Sequence, residues 1–169
     1  IFNYFNREFQ FPSFKKSILQ GRALRYGENP HQRGTYYGDF DALFEQLHGK
    51  ELSYNNLVDV DAAINLVHEF EGEKAFVIIK HTNACGVATG TTVKEAYLKA
   101  LQADTISAFG GVLATNQTID QAAAEEINKL FFEILIAPSF EESALTILKS
   151  RKNRMILLQK KQLTETRQC

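Results

Sequence analysis

Lys80 and His81 stand side by side where an apolar run, Ala75-Phe-Val-Ile-Ile79, gives way to a polar stretch, Thr82-Asn-Ala-Cys85-Gly86. An imidazole ionises near neutrality and is suited to moving protons. A cation beside it favours the neutral ring, which can accept a proton. A lysine ammonium can also steady negative charge growing on a carbonyl oxygen. The competing reading is structural: a lysine reaching out from a strand end and a histidine bonded to a loop carbonyl. Five apolar residues in succession predict a strand buried on both faces, and open α/β sheets bind ligands beyond the carboxyl ends of such strands. Neighbouring strand residues point to opposite faces. Both side chains therefore reach one cleft only if the chain leaves the sheet right after Ile79.

A second cluster lies upstream in Leu24-Arg-Tyr-Gly-Glu-Asn-Pro-His-Gln-Arg33. Arg25 and Arg33 offer forks of donors that match phosphate oxygens. Tyr26 brings a flat ring and a phenol. With His31, these suit a nucleotide carrying both a base and a phosphate, or else they belong to a turn-rich surface loop. Cys85 near His81 raises a Cys-His nucleophile, against the simpler alternative of a small buried thiol in a tight loop. The segment after His81 lacks the His-x-Glu pattern of zinc deaminases, and no Cys-x-x-Cys occurs. A metal-dependent hydrolase using His31 and His81 has no paired ligand motif behind it. Ser107-Ala-Phe-Gly-Gly111 permits close approach of a ligand, with Phe109 read as core. The basic run Lys149 to Arg154 is read as a solvated helix end.

The positioning elements follow from periodicity. Leu57, Val60, Ile64, Val67 and Phe70 recur at helical spacing. Thr92 and Glu95 form a capping box ahead of a helix through Leu101. Ser107–Ala114 reads as a strand interrupted by two glycines. Asp120 caps a helix to about Phe132. Ile134–Ala137 is a buried strand, Glu141–Lys149 a helix and Met155–Leu158 a further strand. Thr35–Tyr37 is a short strand, and Phe40–Leu47 is weakly helical, ending at Gly49. The alternation β-α-β-α-β-α-β predicts a largely parallel sheet with right-handed crossovers.

The 169 residues suffice for one cored domain. Net charge is -1 and the pI about 6.5, which disfavours a general nucleic-acid binder. No apolar run approaches the roughly 20 residues of a membrane span. No secretory signal is visible in Ile1-Phe-Asn-Tyr-Phe-Asn-Arg7, and the chain opens without methionine, as a piece of a longer one would. Two cysteines, Cys85 and Cys169, are too few for a disulfide framework; a cytoplasmic setting is expected.

Five segments together resemble one family. They are Leu24-Arg-Tyr-Gly-Glu-Asn-Pro-His-Gln32, Tyr54-Asn-Asn-Leu57 with Asp59, Ile79-Lys-His-Thr-Asn-Ala-Cys-Gly86, Ser107-Ala-Phe-Gly110 and Ile136-Ala-Pro-Ser139. Their order and separations are similar to those of the transformylase domain in the bifunctional enzymes that join 5-aminoimidazole-4-carboxamide ribonucleotide (AICAR) transformylase to IMP cyclohydrolase. The resemblance spans Gly21 to Gln159. It implies an arm from a preceding domain over 1–20 and the first α/β half of a transformylase domain over 21–169. The implied fold is a three-layer α/β/α domain with a largely parallel, mixed sheet, similar to the cytidine-deaminase-like fold.

The implied activity is transfer of a formyl group from 10-formyltetrahydrofolate, a co-substrate, to the 5-amino group of AICAR, with no metal required. His81 looks like the proton-transfer residue and Lys80 its catalytic neighbour. Arg25 and Tyr26 look like nucleotide contacts, His31 a nearby polar contact, Asn56 and Gly110 pocket positions, and Glu133 an acidic residue of the nucleotide pocket. Family members work as homodimers and continue past Cys169 into a second half. The chain alone is therefore expected to be weakly active or inactive and to self-associate through exposed apolar surface. A non-catalytic nucleotide-binding or assembly module is the alternative.

Overall fold

The computed structural model describes residues 17–160. Most of the segment read as an arm, and Cys169, lie outside the described residues. A two-stranded ribbon of β1 (Gly21–Ala23) and β2 (Thr35–Tyr37) opens the chain. One helical turn, α1 (Phe40–Leu43), leads directly into β3 (Phe44–His48). Then follow α2 (Tyr54–His68), β4 (Lys74–Lys80), β5 (Asn83–Gly90), α3 (Val93–Ala103) and β6 (Val112–Thr115). The chain continues through α4 (Gln121–Ile127), β7 (Ile134–Ala137), α5 (Glu142–Leu148) and β8 (Met155–Gln159).

The main sheet has the order β3-β8-β7-β6-β4-β5. Period-two alternation sorts its side chains into two cores. Val77, Ile79, Val112, Ala114, Ile134 and Ile136 pack with Val60, Ala63, Ile64 and Val67 of α2 on one face. Phe76, Ile78, Leu113, Leu135 and Ile156 pack with Tyr97, Ala100, Ala124, Ile127 and Leu148 of α3, α4 and α5 on the other. Helices thus cover both faces, giving the three-layer α/β/α architecture expected of the sequence.

The sheet is mixed. β6-β7 and β7-β8 are parallel, whereas β4-β6, β4-β5 and β3-β8 are antiparallel. The unexpected edge strand β3 supplies one antiparallel pairing, and the other two stem from β5, which reads as a polar loop in the sequence. Its residues, Asn83-Ala-Cys-Gly-Val-Ala-Thr-Gly90, are mostly small and carry little β propensity. Smallness is what the position needs, because a methyl group on Gly86 would overlap the Ala100 carbonyl of α3. The hairpin β4-β5 reverses the chain before α3, so β4 runs against β6.

Other expectations shift for local reasons. Residues 44–47, read as helix, lie in the edge strand β3 because β8 offers it a ladder; pairing overrides weak propensity. α2 begins at Tyr54, ahead of the expected Leu57, because Ser53 and Asn56 cap it reciprocally. Residues 107–111 are turn and loop, the strand starting only at Val112; Asp104 draws the Ile106 and Ser107 amides into a turn. The helix capped by Asp120 stops at Ile127. Only half of the expected capping box forms at α3: Thr92 accepts the Glu95 amide, but the Glu95 carboxylate turns to Thr91 and Lys99. Arg154, read as part of a solvated helix end, is 2% exposed. Its guanidinium lies 4.3 Å from the Phe132 ring centroid and donates to the carbonyls of Asn128 and Leu130, closing the end of α4.

Candidate functional site

The hairpin between β4 and β5 has a two-residue tip. Lys80 pairs with Asn83, and His81 (φ 53) and Thr82 (φ 62) between them are left-handed. Contrary to the sequence reading, the strand therefore includes Lys80. His81 has left it, and that is enough to bring both side chains to one cleft. The Lys80 ammonium donates to the Phe109 carbonyl at 2.9 Å. The Thr82 amide donates to Asp59 of α2 at 2.7 Å, and the Thr82 hydroxyl and Asn83 amide group donate to the His81 carbonyl.

This tip overlooks an open cleft of about 760 Å³ whose walls include Tyr26, Ser53, Asn56, Asp59, Lys80, His81, Gly110 and Glu133. The cleft lies at the carboxyl end of β4 but at the amino ends of β6 and β7, since Gly110 precedes β6 and Glu133 precedes β7. The antiparallel β4 is what makes the difference from an all-parallel sheet. Gly110 has φ +76, a conformation that glycine takes without strain, and its amide donates to the Phe131 carbonyl.

The N-terminal turn of α2 builds the floor. Asn56 uses its side-chain oxygen for the Ser53 amide and hydroxyl, which leaves its NH₂ to donate to Glu133 at 3.1 Å. The positive end of the helix macrodipole faces the same space, a setting that favours an anion. The loop carrying Tyr26 is stitched to this helix by Tyr54 N–H to the Tyr26 carbonyl and by Asn55 to the Glu28 carbonyl. The Tyr26 phenol sits beside Ser53 and accepts from Arg25 at 2.8 Å, and these contacts hold its pKa below the usual phenol value. The Arg25 guanidinium lies 4.6 Å from the Tyr26 ring centroid. Arg25 thus reaches the cleft through Tyr26 rather than lining it. His31 is exposed in the same loop, outside the cleft wall.

Lys80 and His81 also border a second hollow of about 360 Å³, with Asn83, Cys85, Asp104 and Ser107. Bonds from Ser107 keep the Asp104 carboxyl below the usual carboxylate range. Cys85 is half-buried in β5 rather than in a loop, and burial pushes its thiol up. Phe109, read as core, is 58% exposed at the cleft mouth, its ring 4.9 Å from that of Phe131. Among the described residues no three His, Cys, Asp or Glu side chains converge as metal ligands, and no helix is long and apolar enough to cross a membrane.

Sequence reasoning overlooked Ser53 and Asp59 as site residues. The Ser53-x-x-Asn56 spacing was a usable cap signal; the Asp59–Thr82 contact, across 23 positions, had none.

A family model described as AICARFT/IMPCHase bienzyme matches residues 1–169. The bifunctional purine biosynthesis protein PurH of Bacteroides thetaiotaomicron is 56% identical over 160 residues, covering 95% of this chain and 31% of its own length. PurH of Bacillus cereus is 53% identical over 140 residues, covering 79% of this chain and 27% of its own. The chain spans under a third of the length of these relatives. A solved structure of a candidate formate dehydrogenase accessory protein from Desulfotalea psychrophila overlaps 76% of this chain and 64% of its own, with TM-score 0.46 and 11% identity.

Proposed function

This chain belongs to the AICARFT/IMPCHase bienzyme family, and on that premise we propose that it supplies the proton-transfer wall of a formyltransferase site in purine biosynthesis. The reaction moves a formyl group from 10-formyltetrahydrofolate to the 5-amino group of AICAR. The amine nitrogen bonds to the formyl carbon, the bond from that carbon to N10 of the folate breaks, and one amine proton ends on N10.

His81 takes the proton as the weakly nucleophilic aromatic amine attacks, and passes it on to the departing N10. Lys80 spends one N–H on the Phe109 carbonyl, which fixes the ammonium and leaves its other donors for the tetrahedral oxyanion. Tyr26 holds the nucleotide's ring from the cleft wall, and Arg25, seated behind the Tyr26 phenol, meets the phosphate at the cleft's edge, with His31 as an outlying polar contact. Asn56, Gly110 and Glu133 shape the nucleotide pocket. No step calls on a metal.

The observation that supports this reading is the convergence of Tyr26, Asn56, Lys80, His81, Gly110 and Glu133, drawn from separate segments, on a single cleft. We infer further that formyl transfer by the isolated 169 residues is weak or absent and that the working form is a cytoplasmic homodimer of the full-length bienzyme. The test is AICAR titrated into a full-length bienzyme carrying these residues. Glu133→Ala is expected to weaken binding by about tenfold, roughly 1.4 kcal/mol; unchanged affinity would remove the pocket from the nucleotide.

A further inference from the structure

The tip that carries His81 is built from the wrong residues for its shape. Two-residue hairpins with both positions left-handed strongly favour Asn-Gly or a similar pair, because a Cβ crowds the backbone there. His81 and Thr82 occupy that conformation with φ 53 and φ 62, and a β-branched residue such as Thr82 is an outlier in it. Conformations of this kind persist only where surrounding contacts over-determine them.

The Lys80 bond to the Phe109 carbonyl anchors the end of β4, and one contact from outside the hairpin holds the turn itself. Asp59 accepts the Thr82 amide at 2.7 Å. It stands one turn beyond Asn56 on α2, so a single helix face supports both the Glu133 floor and the His81 tip. Asp59 also lines the cleft beside His81 and Thr82. The remaining bonds at the tip, from the Thr82 hydroxyl and the Asn83 side chain to the His81 carbonyl, are local to the hairpin.

We propose that Asp59 is a positioning residue, which holds the His81–Thr82 turn left-handed and thereby keeps the imidazole aimed into the cleft. The inference rests on the reading of His81 as the proton acceptor. Its action is through a bond, not through charge. Asparagine at position 59 retains an acceptor oxygen and serves nearly as well, whereas alanine does not. Glycine at position 82 takes a left-handed conformation without steric cost, so it removes the need for the clamp.

The test measures kcat, KM for AICAR and thermal melting in a full-length bienzyme carrying these residues, for Asp59→Ala, Asp59→Asn, His81→Ala and the double variant Asp59→Ala/Thr82→Gly. Asp59→Ala is expected to lower kcat about 100-fold, as a misplacement of about 1 Å would, with KM moving less than about threefold. Asp59→Asn is expected to stay within about fivefold of wild type, and the double variant to regain about tenfold or more over Asp59→Ala. A general structural defect would not be undone by glycine at the tip. Equal losses in Asp59→Asn and Asp59→Ala, or no rescue by Thr82→Gly, would overturn the clamp. If Asp59→Ala fails to melt cooperatively, the double variant carries the test: a folded double variant about 100-fold down in kcat overturns the proposal. Full activity in Asp59→Ala with activity lost in His81→Ala overturns the clamp alone; full activity in His81→Ala overturns both it and the reading beneath it.

Discussion

Asn56 donates its side-chain amide to the Glu133 carboxylate at 3.1 Å, across 77 positions of sequence. The bond joins the first turn of α2 to the residue before β7, and so fixes the distance between two walls of the cleft. The orientation of the amide is not free, because Ser53 occupies its oxygen twice.

Asn56→Asp keeps an acceptor for Ser53 but sets a second carboxylate against Glu133. Like charges at this spacing repel. The variant is expected to lose about 1–2 kcal/mol at pH 8 and to recover part of it as pH falls through the carboxylate range, where one of the pair takes a proton. Urea midpoints at pH 8 and pH 4.5, each read against wild type, check this. A deficit that grows on acidification would contradict it.

Tyr97 packs edge-on against Phe76, and its buried hydroxyl has no hydrogen-bond partner among the described residues. Burial, with a smaller contribution from Glu126, pushes its pKa to about 12 from 10.0. The folded state favours the neutral phenol. Its stability is therefore complete below pH about 10 and falls as the unfolded tyrosine ionises, by up to about 2–3 kcal/mol near pH 12. Tyr97→Phe removes this sensitivity and, having no hydrogen bond to lose, costs less than about 1 kcal/mol at pH 7. Chemical denaturation of both proteins at pH 7 and pH 11 measures the difference; an equal alkaline loss in the two would refute it.

Gly86 lets α3 lie directly on β5, and a methyl group there would overlap the Ala100 carbonyl. Gly86→Ala must push helix from strand, at about 3 kcal/mol. Gly72→Ala meets open space but a φ of +83, and costs about 1 kcal/mol. Thermal melts should rank wild type, Gly72→Ala and Gly86→Ala in falling order, and a reversed order of the two variants would remove the close-packing account of β5.

Elements with strong local periodicity were legible: β7, α5 and most of α2 fall where apolar spacing puts them, and both faces of β4 are buried as its apolar run requires. What was not legible depended on partners distant in sequence. β5 is made of small residues because a helix rests on it, and β3 is a strand because β8 needs a neighbour. Arg154 looked like surface because its charge is met by carbonyls and a ring, which leave no mark in sequence. At the site, Lys80, His81, Tyr26, Asn56, Gly110 and Glu133, all legible as candidates in the sequence, share one cleft, whereas Arg25 and His31 lie outside its wall. The contacts that hold them, from Asp59 and from the Phe109 carbonyl, come from the fold alone.

His81 is proposed to accept the proton of the attacking amine. His81→Ala in a full-length bienzyme carrying these residues, assayed for formyl transfer and for AICAR affinity, tests it most directly. The expected result is a loss in kcat of about 10³-fold, within the span of general-base catalysis, with the AICAR dissociation constant changed less than about threefold. A variant that binds AICAR and turns over at the wild-type rate would contradict it.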